Sequence, residues 1–318
     1  CLSSGVGWHE SQVPTISGTV PPAAFTGATQ AIRAAVSLPV VASNRINLPE
    51  TAEAVLAAGQ ADLISMARPF LADADFVNKA VAGASDRITV CVACNQACLD
   101  HYFTDKIVTC LVNPKAAREA EFAGGPAPVT KRVAVVGAGV AGIACALAAA
   151  GRGHAVTLFD RADAIGGQFR LAARIPGKAD FGRAIAGFAA QLAAAGVTLR
   201  LGERVDASRL AAGGFDSVVV ATGVDPRPLD IAGADHPKVI GYTEVLSGQV
   251  VAGAKVAVIG GGNTAVEEAL YLANVCNSVT LVHRRDSLRA EQIMQDRLLK
   301  KDNILVEWNR QVAEVLGD

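Results

Sequence analysis

The sequence predicts an α/β protein of parallel strands, and three stretches of pattern carry that prediction. Short apolar runs alternate with helical periodicity before residue 119; a strand, a glycine turn, a helix and a second strand follow over Arg132–Phe159; the same succession returns over Lys255–Val282. Strands alternating with helices make βα units, and βα units make parallel sheets. A return of this kind is a repeated nucleotide-binding unit and not a solenoid repeat.

In chain order, Leu38–Ala42 is a short apolar strand, Leu48–Ala58 has helical periodicity, Ala61–Met66 is a second strand and Asp75–Ala82 is helical. The run EAEFAGGPAPVTK, Glu119–Lys131, has Gly-Gly, two prolines and no period, which marks a boundary. Beyond it Arg132–Val136 is a buried strand, Ala141–Ala150 an Ala-rich helix and Ala155–Phe159 the next strand. This divides the chain into residues 1–118, a linker over 119–131, one nucleotide-binding domain over 132–230 and another over 231–318.

A length of 318 residues suits two or three domains, and 51% hydrophobic with 19% charged residues is ordinary for a soluble chain. A formal net charge of −1 gives no reason to expect nucleic acid or an anionic membrane as partner. No apolar run approaches the roughly 18 residues of a membrane span, and no signal peptide is read. The chain starts at Cys1 and not at Met, so a start inside a longer parent is expected. Seven cysteines suit a reducing, cytoplasmic setting.

Four of those cysteines, Cys91, Cys94, Cys98 and Cys110, are spaced C-x2-C-x3-C-x11-C. Three thiols in one tight loop and a fourth returning nearby fit a cubane iron–sulfur cluster, with one sulfur per iron corner. Zinc also takes four thiolates, but usually from two separated CxxC knuckles. Cys145, in an apolar helix, and Cys276, in a loop, read as structural.

The first nucleotide unit carries GAGVAG, with Gly137, Gly139 and Gly142; the second carries GGGNTA, with Gly260, Gly262 and Ala265. In such a turn the first glycine permits the bend, the second admits a pyrophosphate and the third position lets helix and strand close up. Twenty-three positions beyond Gly137 stands Asp160, and the same count from Gly260 reaches His283. A carboxylate there accepts from ribose hydroxyls, which assigns the first unit to FAD or NAD. Arg284, Arg285 and Arg289 follow His283; guanidiniums offer forked, charge-assisted bonds to a 2′-phosphate, which assigns the second unit to NADPH. The alternative for these arginines is a solvated surface face.

Residues 1 to about 250 resemble the bacterial NADPH-dependent 2,4-dienoyl-CoA reductases, relatives of trimethylamine dehydrogenase and old yellow enzyme. The resemblance is carried by GVGWHESQVPTI, VVASNRIN, DLISMARPFLAD, CNQACLD, CLVNP, VAVVGAG, IGGQFRLAARIPGK, VVVATG and DHPKVIGYTEVL. It implies a TIM barrel holding FMN, a [4Fe–4S] cluster at its edge, an FAD domain and an inserted NADPH domain. Electrons would pass from NADPH to FAD, the cluster, FMN and a conjugated enoyl thioester, a step of fatty acid β-oxidation. It decides between iron–sulfur and zinc in favour of the cluster. It assigns His9 in GWHES to the thioester carbonyl or to proton delivery, and Arg45 and Arg68 to the FMN phosphate. The tyrosine that the family pairs with the histidine would lie upstream. Gly166, Gly167 and Gln168 resemble the second flavin-contacting loop, and Ala221-Thr222-Gly223 the strand end beside the cofactor.

From about Lys255 onward the chain resembles instead the NADPH domain of thioredoxin reductase, through VAVIGGGNTAVEEALYLAN and VTLVHRRDSLRAEQIMQDRL. A natural mosaic and a joined sequence both fit that change. The redox CxxC of thioredoxin reductases has no counterpart in SGQVVAGAK, so an internal dithiol is not available there. About two of the eight barrel strands are expected in the chain, with both nucleotide domains incomplete. An amine dehydrogenase or general ene-reductase of the same architecture, a thioredoxin reductase-like flavin module and a non-catalytic fragment are the competing functions.

Overall fold

The computed structural model describes residues 1–6, 18, 20–102, 104–175, 177–226, 230–250, 253–290 and 292–316. They form three wholly parallel sheets in two compact units, divided between Val224 and Asp225 except that Arg174 and Ile175 group with the second.

The first unit opens with β1 (Leu2–Ser4), α1 (Thr26–Ala35), β2 (Val40–Ala42), α2 (Pro49–Ala57) and β3 (Leu63–Ile64). Their sheet runs β1-β2-β3, with Ser4 opposite Ala42 and Ala42 opposite Ile64. Three strands are thus present where two were expected. β1 reads LSS, too short and polar to show a period, and it is held by register and by a buried hydroxyl pair, Ser4 Oγ to Thr29 Oγ1 at 2.9 Å. Pro49 opens α2 at a position where a missing N–H costs nothing. α3 (Arg68–Ala72), α4 (Phe76–Val81) and a 3₁₀ turn at Ser85–Arg87 lead into the cysteine loop and α5 (Leu99–Tyr102).

The second sheet follows: β4 (Arg132–Val136), α6 (Val140–Gly151), β5 (Ala155–Phe159), α7 (Phe169–Ala172), α8 (Ala179–Ala194), β6 (Thr198–Arg200), α9 (Ala207–Ala212) and β7 (Ser217–Val220). β4 and β5 span the predicted residues, and α6 is one residue longer at each end than read from sequence. The order β6-β5-β4-β7 puts the glycine turn after β4, between the neighbouring strands β5 and β7. Val133, Val135, Ile143, Leu158, Phe181, Phe188 and Leu192 form one core, and Val92, Val112 and Ala72 from the cysteine region belong to the same cluster. The cysteine loop is therefore packed into this core, within a single compact unit.

The second unit contains α10 (Tyr242–Ser247), β8 (Lys255–Ile259), α11 (Asn263–Leu272), β9 (Ser278–His283), α12 (Gln292–Leu299) and β10 (Ile304–Trp308), with strand order β10-β9-β8. Strand β9 alternates strictly in burial, from half-buried Ser278 to buried His283. Val266, Ala269, Leu272, Val279, Leu281, Met294 and Leu298 make its core. Cys276 is buried within that core, and Cys145 is half-buried in α6. Among the described residues no helix is long and apolar enough to cross a membrane.

Candidate functional site

The run CVACNQAC folds into a tight loop because Ala93 and Asn95 take left-handed backbone, φ 51° and 61°. Asparagine enters that region readily and alanine at a cost, so the turn is held by its surroundings. Asn47, beyond β2, donates from Nδ2 to the Cys91 carbonyl at 2.9 Å. The excursion to Cys110 is tied back by Thr109 N–H to Ala97 O at 2.7 Å and by the His101 Nδ1 contact with Ile107 O at 2.9 Å. All four half-buried thiols line one cavity, together with Arg68 and Asn95.

Burial pushes the Cys91, Cys94 and Cys110 thiols up, Cys94 to about 11. Cys94 feels Cys91, Cys98 and Cys110 through space, while the Arg68 charge acts the other way on Cys91. The four sulfurs are thus one electrostatic group. No set of three or more His, Cys, Asp or Glu side chains among the described residues is placed to hold a single metal ion. A cubane takes one sulfur per iron corner, so its ligands stand wider apart than those of one ion. The donor set, four clustered thiols with a guanidinium beside them, suits an anionic cluster.

Arg45 and Arg68 stand beyond the C-terminal ends of β2 and β3, as expected. Arg45 is 6% exposed; its Nε donates to Val20 O at 2.7 Å and its Nη2 meets Asp180 Oδ2 at 3.3 Å. Arg68 donates from Nη1 to Asn95 Oδ1 at 2.6 Å, in the middle of the cysteine loop. Neither partner was legible from the spacing. His9 lies outside the described residues.

The first nucleotide turn gathers at the C-terminal edge of β4. Gly137 has φ 110°, and a Cβ there would overlap the Ala221 carbonyl at the end of β7. A Cβ on Gly142 would overlap the Gly137 carbonyl. Gly139 has open space on its Cβ side and serves as the N-cap of α6 without a side-chain bond, leaving the first helical N–H groups for an anion. Asp160 accepts from Ala138 N–H at 2.6 Å and from Ala162 N–H at 2.8 Å, so its carboxylate stands at the turn. Gly166 N–H donates to Ala138 O at 2.8 Å, and a Cβ on Gly167 would lie 3.0 Å from the Gly139 Cα. Gln168 Nε2 reaches Val224 O at 3.1 Å, just past Thr222 and Gly223. The fold therefore brings together every residue read as a first-unit cofactor contact.

These close approaches have a measurable consequence. Gly142→Ala forces backbone apart and is expected to cost about 1–3 kcal/mol and to lower flavin content. Gly139→Ala fits the free turn but faces the pyrophosphate position, so it should keep the melting temperature while weakening flavin binding. Thermal melts and flavin absorbance of the two variants check this, and equal melting losses would count against the assigned roles.

The second turn repeats the first. Gly260 has φ 152°, and a Cβ there would lie 2.7 Å from the Ala265 Cβ; Gly262 caps α11 with open space beside it. Arg284, Arg285 and Arg289 are exposed and have no side-chain partner among the described residues.

Parallel sheets with two such turns define a dinucleotide-binding oxidoreductase fold. The chain belongs to the pyridine nucleotide-disulphide oxidoreductase family, whose pattern matches residues 131–318. Residues 6–87 match the NADH:flavin oxidoreductase / NADH oxidase family. The chain is 43% identical over 271 residues to a metal reductase of Desulforamulus reducens, covering 84% of this chain and 41% of that protein. It is 44% identical over 104 residues to thioredoxin reductase of Rickettsia conorii, covering 32% of this chain and 34% of the relative. A solved 2-naphthoyl-CoA reductase in complex with 2-naphthoyl-CoA superposes with a TM-score of 0.91 at 34% identity, over 99% of this chain and 49% of that one. The chain thus spans less than half the length of these relatives.

Proposed function

We propose that the chain is part of an NADPH-dependent flavin and iron–sulfur reductase of a conjugated enoyl thioester such as a 2,4-dienoyl-CoA. The observation that carries this reading is the cysteine loop packed into the core of the first nucleotide sheet. Thiols so placed share a core with Ala138 of the FAD-type turn, and Asn47, just beyond β2 in the segment of the NADH:flavin oxidoreductase match, donates to the Cys91 carbonyl. Likeness to a reductase solved with an aromatic CoA thioester supports the substrate class.

When bound, the groups supply a relay from NADPH through FAD, [4Fe–4S] and FMN to the enone. Cys91, Cys94, Cys98 and Cys110 hold the cluster. Gly137, Gly139, Gly142, Asp160, Gly167, Gln168, Thr222 and Gly223 hold FAD, and Gly260, Gly262, Arg284, Arg285 and Arg289 hold NADPH. For the FMN phosphate, half-buried Arg68 is the more accessible of the two, since Arg45 is buried. By its motif, His9 would serve the thioester carbonyl, where it could hold and deliver a proton. Seven unpaired cysteines suit the reducing cytoplasm.

The test is anaerobic oxidation of NADPH by the parent protein with a 2,4-dienoyl-CoA. Turnover with the thioester, and none with amines or disulfides, is the expected result; no NADPH consumption would sink the substrate assignment.

A further inference from the structure

We infer that Gly261 and His283 form a size-matched pair that sets the 2′-phosphate preference of the second nucleotide unit. Neither residue needs to touch the nucleotide for this. The inference rests on the NADPH reading of that unit and adds a determinant that the glycine fingerprint does not contain.

Gly261 is the middle residue of GGG, a position where the fingerprint makes no demand. Its backbone makes none either, since Gly260 takes positive φ and Gly261 does not. What excludes a side chain is the His283 ring. A Cβ on Gly261 would overlap Nδ1 and Cε1 and lie 2.7 Å from Cγ. The first unit provides the internal comparison. There the equivalent residue is Ala138, fully buried, and the equivalent strand-end residue is Asp160, which accepts the Ala138 N–H at 2.6 Å. A methyl goes with a carboxylate in one unit; the bare glycine goes with an imidazole in the other.

The imidazole has a task that a carboxylate cannot perform. His283 is 7% exposed, and its Nε2 contacts Ser287 O at 2.9 Å. A carbonyl only accepts, so Nε2 carries the proton. Trp308 packs edge-on against the ring, with centroids 6.4 Å apart. Arg289 N–H donates to the Gly261 carbonyl at 2.7 Å, Arg310 N–H to His283 O at 3.0 Å, and Leu288 is buried. The turn 283–289 is thus tied to the glycine turn by the Arg289 N–H at one end, and is braced internally by the imidazole, whose ring packs against Gly261 while its Nε2 holds Ser287 O. Its three exposed arginines have no competing side-chain partner among the described residues. Fixing beforehand the backbone from which these arginines project reduces the freedom they lose on meeting a phosphate. His283 is therefore a positioning residue that acts through the turn. A methyl at residue 261 would expel the ring, release Ser287 and scatter the arginines.

The experiment is titration calorimetry of the full chain with NADPH and with NADH. It uses the wild type, Gly261→Ala, His283→Ala and the double variant, with a thermal melt of each. The wild type should bind NADPH at least about tenfold more tightly than NADH, the worth of a charge-assisted bond. Gly261→Ala should lose about tenfold for NADPH and less than about twofold for NADH, a split that general destabilisation would not produce. In the His283→Ala background the same alanine should change NADPH affinity by less than about twofold, because the space is already free. If Gly261→Ala is too unstable to titrate, adding His283→Ala should restore its melting temperature, and failure to do so overturns the pair. Losses that multiply across the two sites, or that fall equally on both nucleotides, overturn the pair and leave the NADPH reading standing. A wild type indifferent to the 2′-phosphate overturns both.

Discussion

Cys98→Ala is expected to strip the parent protein of its iron, from roughly four atoms per chain to a small remainder, with acid-labile sulfide lost in parallel. The scaffold around Cys98 explains why this loss should be specific. Tyr102 N–H donates to Cys98 O at 2.9 Å and Asp100 N–H to Asn95 O at 3.1 Å, while Thr109 N–H holds the returning segment on Ala97 O at 2.7 Å. These bonds are made by backbone and survive loss of the thiol. The side chain is half-buried and small, so its truncation should cost the metal-free fold no more than about 1 kcal/mol. Iron and sulfide assays with a melt of the metal-free pair check both halves. One zinc per chain without sulfide would restore the mononuclear reading, and unchanged iron would remove Cys98 from the ligand set.

How far the fold and site were legible depends on the distance over which each constraint acts. The first nucleotide turn was legible because its constraints are local and each selects a residue type: positive φ at Gly137, close approach at Gly142, a carboxylate at Asp160. The cysteine spacing was legible for the same reason. β1 was missed because three residues hold no period, and β10, ILVEW at Ile304–Trp308, because half-buried strands at a sheet edge alternate weakly. The partners of Arg45 and Arg68 were missed because they are set by topology. Asp180 is 135 residues from Arg45, and Asn95 belongs to a loop whose left-handed turns no glycine announces. The role of Gly261 was hidden by the fingerprint itself, which leaves its middle position undefined.

The Arg45–Asp180 pair supplies the second large effect, and it should be asymmetric. The two side chains are 4% and 7% exposed, and they join the loop after β2 to the start of α8. Asp180 has other support: Arg183 Nη1 at 2.7 Å from Oδ1, and the first turn of a 16-residue helix, where a carboxylate is favoured. Among the described residues, the Arg45 guanidinium meets only Val20 O besides Asp180. Asp180→Ala therefore leaves a buried cation nearly unaccompanied and should cost about 3–5 kcal/mol. Arg45→Met leaves a carboxylate that is still paired and should cost less, about 1–3 kcal/mol. Replacing both by apolar residues of similar volume should recover most of the loss, since a buried pair of ions is no more stable than good packing. Denaturant unfolding followed through the first unit's flavin would measure all three variants. The same set separates the pair's structural role from the FMN assignment of Arg45. If the guanidinium also serves the phosphate, Arg45→Met will lose FMN out of proportion to its stability, whereas Asp180→Ala will lose the two together.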